Sequence, residues 1–345
     1  MRNKVALITS RFGSLSECFG LWLESAKQNM NFDFFVLTDI DIEYKAENIK
    51  FIKYKCFDDF VKTVDEKIGF KSGVTTPFKT ADLRPAYGYL FAGILHDNYR
   101  YKYAKIGDYD FWGYVDTDMI FGNLGHYIND DILDRCDVFQ TWGHFSLIRN
   151  TVDFNTLYNQ SYKGYLLKNS LKLPENCMVE EGPFVLQLKS VGARIDSKVS
   201  RIADIKRNVF EFTIDGKNYK NQKFIYHNGE IRRLAKIDNE IIVDDEFMYI
   251  HFMKRKIGNI PLNCRELILT ENGFFEYDEK KIFLKRNSNK MYNNWKQFTN
   301  AIEDSRYKKV DILYKLLHIK NWVYRKKTRN IDKEKKDLIR LYYGI

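Results

Sequence analysis

The sequence predicts an α/β fold with a mostly parallel central sheet, helices on both of its faces, a small antiparallel β insertion and a C-terminal helical tail. Three observations carry this. Short apolar runs of strand length at 5–9, 34–38, 49–54 and 111–115 alternate with helical patterns, as in β-α-β units. Over 209–252 the pattern changes to short strands with polar turns such as Asp215-Gly216 and Asn228-Gly229, which read as antiparallel hairpins appended to the sheet. Near the end, Ile312, Leu313, Leu316, Leu317, Ile319, Trp322 and Val323 recur at helical spacing among basic residues.

At 345 residues the chain is long enough for one large α/β domain with insertions. Hydrophobic residues at 44% and only five prolines argue against long disordered linkers. The five cysteines are scattered and odd in number, with no Cys-X-X-Cys, so neither a disulfide framework nor a zinc site is encoded, and the expected compartment is the reducing cytoplasm. The first apolar run is too short for a signal peptide, and no stretch approaches the length of a membrane span. Residues 306–345 hold thirteen Lys and Arg against four Asp and Glu, nine of the chain's net +10. The body is nearly neutral, so no nucleic-acid partner is expected; the basic tail is an appendage.

In order, 5–9 is the first buried strand, and Ser14-X-X-Glu17 reads as a capping box opening a helix with Leu15, Phe19, Trp22 and Ala26 on one side. The loop Ser10-Arg11-Phe12-Gly13 lacks the G-x-G-x-x-G of dinucleotide enzymes, so a phosphate needs another anchor. Pro85 at a first helical position opens a helix burying Ala86, Tyr87, Leu90, Phe91, Ile94 and Leu95. Asp82 and Arg84 just ahead of it are either a solvated ion pair or an arginine placed to hold paired aspartates or bind a phosphate. Strands at 137–140 and 145–148 flank Trp142-Gly143-His144, and helices are expected over 152–167 and 184–191.

The run 111–122, Phe-Trp-Gly-Tyr-Val-Asp-Thr-Asp-Met-Ile-Phe-Gly, is an apolar strand stopped by Asp116 and Asp118 and resumed by Met119. Ligands of open α/β sheets lie beyond the carboxyl ends of strands, and two carboxylates one residue apart suit a hard divalent cation with substrate phosphates among its ligands. Acids after a strand also serve as turn formers or caps. Here apolar sequence encloses them, and a buried charge demands a cation or an arginine nearby. Late in the chain His251 sits in the apolar run Tyr249-Ile250-His251-Phe252, as a hydrogen-bonded core residue or a metal ligand, with Lys254 and Lys256 placed to face a phosphate. Glu180 and Glu181 stand at a helix start, where acids also serve the macrodipole.

These residues resemble the glycosyltransferases of the GT-A fold, and most of all bacterial polysaccharide and lipopolysaccharide glycosyltransferases. Those carry Lys-X-X-Asp-X-Arg-Pro-Ala-Tyr-Gly, then Phe-Trp-Gly-Tyr-X-Asp-X-Asp, then Tyr-Ile-His-X-X-Lys-Arg, which stand here in that order at 79–88, 111–118 and 249–255. The resemblance implies a Rossmann-like GT-A catalytic domain over 1–260 containing the 209–252 insertion, an extension over 261–305 and the basic tail over 306–345. It implies that Asp118 chelates Mn²⁺ or Mg²⁺, that Asp116 contacts the metal or the nucleotide ribose, and that His251 is the third protein ligand. Lys254 or Lys256 is placed on the diphosphate, Thr9, Arg11 and Asp39 at the nucleotide base or ribose, and Lys79, Asp82 and Arg84 around the donor sugar and its diphosphate. His144 with Glu180 or Glu181 lines the acceptor side, and Glu180 or Glu181 is the candidate base should the reaction invert; retention is favoured.

The implied partners are a nucleotide-sugar donor, a UDP-sugar by likeness, and a saccharide or lipid-linked saccharide acceptor in surface polysaccharide, lipopolysaccharide or capsule synthesis. The cationic tail helix either packs on the body or lies on an anionic leaflet, where each basic residue contributes about 1 kcal/mol, which makes the expected location cytoplasmic and peripheral to the inner face of the membrane. Two rivals stand beside this reading. One is a haloacid-dehalogenase-like phosphatase with Asp116 as nucleophile, whose motif wants Thr or Val where Ile120 stands. The other is a binder of membrane or nucleic acid acting through its tail.

Overall fold

Strands apolar on both faces form the centre of the computed structural model, which describes residues 1–92, 109–162, 165–197, 201–205, 211–214, 217–220, 223–237, 240–252, 266–270 and 273–276. β1 (Val5–Arg11) sends Val5 and Leu7 to one hydrophobic cluster and Ala6 and Ile8 to another. Burial of alternate residues on both faces is what a parallel strand covered by helices requires. α1 (Phe19–Lys27) follows and buries Phe19, Trp22 and Ala26 as the spacing predicts. The capping box does not form: the N-cap is Cys18, Leu15 is exposed, and the Arg11 side chain donates to the Ser14 carbonyl. Gly13 in the left-handed region, its N–H on Asp39 Oδ1 at 2.8 Å, turns this stretch into a loop before a helix can start.

β2 (Phe32–Thr38) and β3 (Ile49–Lys53) continue the sheet. A helix not anticipated from sequence, α2 (Phe57–Ile68), buries Phe60 and Val64 and ends at Gly69 with φ 78°, a left-handed cap. The helix expected from Pro85 is replaced by a 3-10 stretch, Pro77–Ala86, and one α-turn, α3 (Tyr87–Leu90). Pro85 lies inside that 3-10 stretch and not at a helix start, and there its missing N–H keeps the turn from becoming regular α-helix. Ile94 and Leu95 lie outside the described residues.

β4 (Phe111–Val115) is followed by β5 (Met119–Phe121), the short helices α4 (Leu124–Tyr127) and α5 (Asp130–Arg135), β6 (Val138–Trp142) and β7 (Phe145–Arg149). The helix expected over 152–167 stops as α6 (Val152–Thr156), giving way to 3-10 turns and a ribbon of β8 (Ser161–Tyr162) and β9 (Tyr165–Leu166). Gln187 Nε2 takes up the carbonyls of Leu157 and Gln160 at 2.8 Å each, which satisfies the chain where the helix breaks. Gln187 belongs to α7 (Pro183–Ser190), close to the helix expected there. β10 (Ile195–Asp196) completes the central sheet in the order β10-β6-β7-β4-β1-β2-β3, parallel except where β7 pairs with β4 and β6. The chain is therefore mixed α/β with a mostly parallel central sheet.

The hairpins expected over 209–252 form, but they build sheets of their own and do not extend the central one. β11 (Ile202–Ile205), β12 (Glu211–Ile214) and β13 (Lys217–Lys220) make one edge of the first. β14 (Lys223–His227), β15 (Glu230–Ile237) and β16 (Glu240–Phe247) make the second, with Asn228 and Gly229 at φ 47° and 86° in the turn that joins β14 to β15. β17 (Tyr249–His251) returns to the first sheet between β11 and β5, giving the order β13-β12-β11-β17-β5. β18 (Glu266–Thr270) and β19 (Gly273–Glu276) are the described part of the 261–305 extension; β18 pairs onto β14 and β19 onto β18. Asp215-Gly216 and the tail over 306–345 lie outside the described residues. Among the described residues no helix is long and apolar enough to cross a membrane, and Cys18, Cys56, Cys136 and Cys177 are free thiols.

Gly113 in the middle of β4 has no room for a side chain, since a Cβ would crowd the Ser146 carbonyl and the Leu147 side chain on β7. Gly113→Ala therefore overpacks the strand on which the acidic pair is mounted and costs about 1–3 kcal/mol. The denaturant midpoint falls with the m-value unchanged; an unshifted midpoint would show that β4 and β7 can part at no cost.

Candidate active site

The acidic pair lies where the chain leaves one sheet for another. β4 ends at Val115, and the backbone of Asp116 is clamped from both sides: its N–H donates to the His144 carbonyl at 3.0 Å and its carbonyl accepts from Trp22 Nε1 at 3.0 Å. Two residues on, the Asp118 carbonyl accepts from the Phe252 N–H at 2.8 Å, and β5 then pairs antiparallel with β17, Met119 opposite His251. Strand pairing of residues far apart in sequence thus sets the imidazole over both carboxylates. His251 Nε2 lies 3.7 Å from Asp116 Oδ2 and 3.6 Å from Asp118 Oδ1.

On its other side β17 runs parallel to β11, with Asp204 opposite His251 and its Oδ1 2.9 Å from His251 Nδ1. A carboxylate on the second ring nitrogen fixes the tautomer and aims Nε2 at the acidic pair. Nothing in the sequence singled out Asp204; the clue would have been a short Ile-Ala-Asp-Ile strand able to lie beside the histidine strand. His144 stacks on His251 with ring centroids 4.1 Å apart, and its Nε2 is 3.0 Å from the Tyr249 hydroxyl. Burial and the neighbouring His251 push His144 down to about 4, so it is neutral at neutral pH. Burial alone would lower His251 as well, but its bonds to Asp116, Asp118 and Asp204 hold it well above the ordinary imidazole value.

Arg84 answers the demand for a cation beside the buried acids. It pairs with Asp116 Oδ1, donates to the Gly143 carbonyl and stands 3.5 Å from Glu180 Oε1. Burial would raise Asp116, yet Arg84 and His251 hold it well below the usual carboxylate range. Glu180 is different: only 4% exposed, with Oε2 lacking a hydrogen-bond partner, its carboxyl is pushed by burial up to about 8 in spite of Arg84.

The other predicted residues divide cleanly. Thr9, Arg11, Arg84, Asp116, Asp118, His144, Glu180, Glu181 and His251 all line one cleft of about 1210 Å³. Lys79 and Asp82 do not. They form a buried ion pair at 2.6 Å, Lys79 Nζ also on the Ser170 carbonyl and Asp82 accepting from the Cys177 and Val179 N–H groups at 2.7 and 3.2 Å. The expected contact of Lys79 and Asp82 with the donor is therefore corrected: they pin down the loop that brings Glu180 and Glu181 to the cleft, because the pair is sealed away from solvent. Asp39 likewise holds the Gly13 loop and is not part of the lining. Lys254 and Lys256 lie outside the described residues.

The residues fit a divalent cation. One ligand atom each from Asp116, Asp118 and His251 fall within 4.8 Å of one another. Around an octahedral ion with bonds of ~2.1 Å, adjacent ligand atoms stand about 3 Å apart and opposite ones about 4.2 Å, which brackets the separations seen. His144, Asp204 and His251 form a second such group, but His251 Nδ1 is already engaged by Asp204, which leaves Nε2 and the acidic pair as the better site.

Two outcomes follow from this geometry. Asp204→Asn loosens the orientation of His251 and weakens Mn²⁺ binding, measured by calorimetry, by roughly 10–100-fold; affinity equal to wild type would leave Asp204 with a purely structural part. Glu180 holds its proton more tightly in the folded chain than in the unfolded one, so its contribution favours folding at low pH and is lost as pH rises from the ordinary carboxylate range through about 8. Glu180→Gln lacks that decline. Its melting points should match wild type near the acid end and exceed them above about pH 8, whereas parallel profiles would contradict the buried-acid assignment.

No curated protein matches the sequence. Residues 7–278, a span that takes in the acidic pair, Asp204 and His251, match a family of unknown function, DUF6625. The chain belongs to that family.

Proposed function

We propose that the chain is a metal-dependent glycosyltransferase of the GT-A type, moving a sugar from a nucleoside diphosphate sugar, a UDP-hexose by likeness, to a saccharide acceptor of bacterial surface polysaccharide, lipopolysaccharide or capsule synthesis. The observation that carries this reading is the convergence of Asp116, Asp118 and His251 at the carboxyl end of the central strand. It is supported by the size of the cleft, about 1210 Å³, which exceeds what one drug-sized ligand needs and leaves room for donor and acceptor together.

Charge supports the metal. Glu17, Asp116, Asp118, Glu181 and Asp204 line the cleft against Arg11, Arg84 and the charged His251 among the described residues, and Arg84 is already engaged by Asp116 and Glu180. Such a surface repels a diphosphate unless a cation lies between them. Asp116, Asp118 and His251 would hold Mn²⁺ or Mg²⁺, the imidazole nitrogen favouring Mn²⁺. Bound there, the ion stabilises the charge that develops on a departing diphosphate.

The chain's own groups do the rest. Arg84 keeps Asp116 ionised, Asp204 orients His251, and Thr9 and Arg11 offer a hydroxyl and a guanidinium to a base or ribose at the end of β1. Lys254 and Lys256, directly after His251, are assigned to the diphosphate. Glu180 carries its proton at neutral pH and leans on Arg84, which makes it a hydrogen-bond donor more than a base. Retention is favoured for that reason; Glu181, exposed on the same wall, is the base if the reaction inverts.

Asp118→Ala tests the reading. In a screen of nucleotide sugars, a UDP-sugar raises the wild-type melting point only when Mn²⁺ is present, by linkage of binding to folding. The variant keeps its fold by circular dichroism but loses both this shift and metal-dependent turnover. Turnover at the wild-type rate in Asp118→Ala, or no response of the wild type to any nucleotide sugar with either metal, would overturn the proposal.

A further inference from the structure

We infer that the lip of the cleft formed by Phe78, Trp142 and Met178 is a platform for a neutral sugar ring, with the Trp142 indole as its stacking face, Glu181 as acceptor for the ring hydroxyls, and anionic sugars excluded. As the acceptor site this rests on the proposed transfer reaction; as a saccharide site it stands by itself.

Single exposed apolar side chains are ordinary, but several gathered on one cleft mark a binding surface. Here Phe78, Trp142 and Met178 are 59%, 45% and 42% exposed, and all three line the same cleft as the acidic pair. The other described tryptophans, Trp22 and Trp112, are fully buried. Trp142 is also held in orientation. Its ring lies 6.0 Å from His144 at an interplanar angle of 22°, and His144 in turn lies on His251 at 4.1 Å and 21°, so the indole is the outermost plane of a stack that starts at the candidate metal ligand. The neighbouring lip is built as well. Met178 has φ 51°, a conformation side chains rarely adopt, with its N–H on Asn176 Oδ1 at 2.8 Å, and Asn176 Nδ2 reaches the Phe78 carbonyl at 3.5 Å.

Gly143 brings the polar partner to the same place. The Glu181 side chain occupies the space a Cβ on Gly143 would need, so its carboxyl lies against the peptide between Trp142 and His144. An aromatic face beside a carboxyl is the chemistry of a pyranose: the ring's C–H groups are weakly positive and pack on the negative face of the indole, while its hydroxyls donate to the carboxylate. The same carboxyls repel an anion. Among the described residues the cationic lining is Arg11, Arg84 and the charged His251; Arg84 is engaged by Asp116, Gly143 and Glu180, and His251 by Asp116, Asp118 and Asp204. A uronic acid, a sialic acid or a lipid phosphate set on the indole would lie against the Glu181 carboxyl.

The test uses the full chain with maltose, lactose and N,N′-diacetylchitobiose as neutral probes and digalacturonate as the anionic one. Binding is read by saturation-transfer NMR and tryptophan fluorescence, and UDP with Mn²⁺ is titrated separately by calorimetry. At least one neutral disaccharide binds and digalacturonate does not; Trp142→Ala weakens the neutral sugar about tenfold and leaves UDP–Mn²⁺ affinity unchanged; Glu181→Gln admits digalacturonate. Equal binding of both kinds of sugar, a Trp142→Ala variant that weakens UDP and spares the saccharide, or UDP–Mn²⁺ binding with no saccharide bound at all would each overturn the platform. Saccharide binding intact in a chain that ignores UDP and Mn²⁺ would uphold the platform and sink the transferase reading.

Discussion

Three carboxylates, Asp116, Asp118 and Asp204, converge on one buried imidazole, and the surrounding structure exists to hold that much negative charge in one place. Left alone, such acids would protonate or pull the strands apart. Three devices prevent this: Arg84 on Asp116, the charge carried by His251, and the backbone clamps from Trp22, His144 and Phe252 that fix the strand ends. The central sheet supplies Asp116, the sheet β13-β12-β11-β17-β5 supplies Asp204 and His251, and Asp118 sits on the crossing between them. The site is therefore a property of two sheets meeting and cannot be assigned to either.

A second buried ion pair works at a distance from the first. Lys79 and Asp82 are sealed from solvent, where removing one partner of such a pair commonly costs about 3–5 kcal/mol, and their remaining bonds go to the backbone of the loop ahead of Glu180. Arg84, two residues on in the same 3-10 stretch, faces the cleft instead. One short segment thus pins the acidic loop with two residues and neutralises the acidic strand end with a third. Two of the non-glycine residues in left-handed conformation, Gln140 and Met178, also line this cleft, while Asn228 serves a plain hairpin turn. Backbone strain gathers where the side chains must be aimed.

How much of this was legible in the sequence depended on whether a feature is local. The strands at 5–9, 34–38 and 111–115 announce themselves by unbroken apolar runs, and the pairing of Asp116 and Asp118 follows from their spacing alone. The Asn228-Gly229 turn is equally local, since few other dipeptides tolerate both left-handed positions. The capping box at Ser14 failed because a loop bond from Asp39, 26 residues away, competes for the same backbone, and the helix over 152–167 failed because Gln187 claims its carbonyls. Lys79 and Asp82 fell in a motif read as functional when their charges serve each other. Asp204 was invisible, because only strand register, a relation between β11 and β17, makes it the partner of His251.

The balance of charge in the cleft also bears on the order in which it can fill. On the proposed reading, with the acidic lining in excess and Arg84 already paired with Asp116, an anionic diphosphate is repelled by the described lining until a cation occupies the space between His251, Asp116 and Asp118. A cation, by contrast, is attracted to that point in the empty cleft and need only displace the proton that the three carboxylates keep on His251. On that reading the same acids, which cannot both repel the diphosphate and recruit it, would recruit the metal, and the metal would recruit the phosphate. On the proposed reading this makes metal binding the first step and ties donor affinity to metal concentration, whereas the lip at Trp142, stacked but uncharged, has no such dependence.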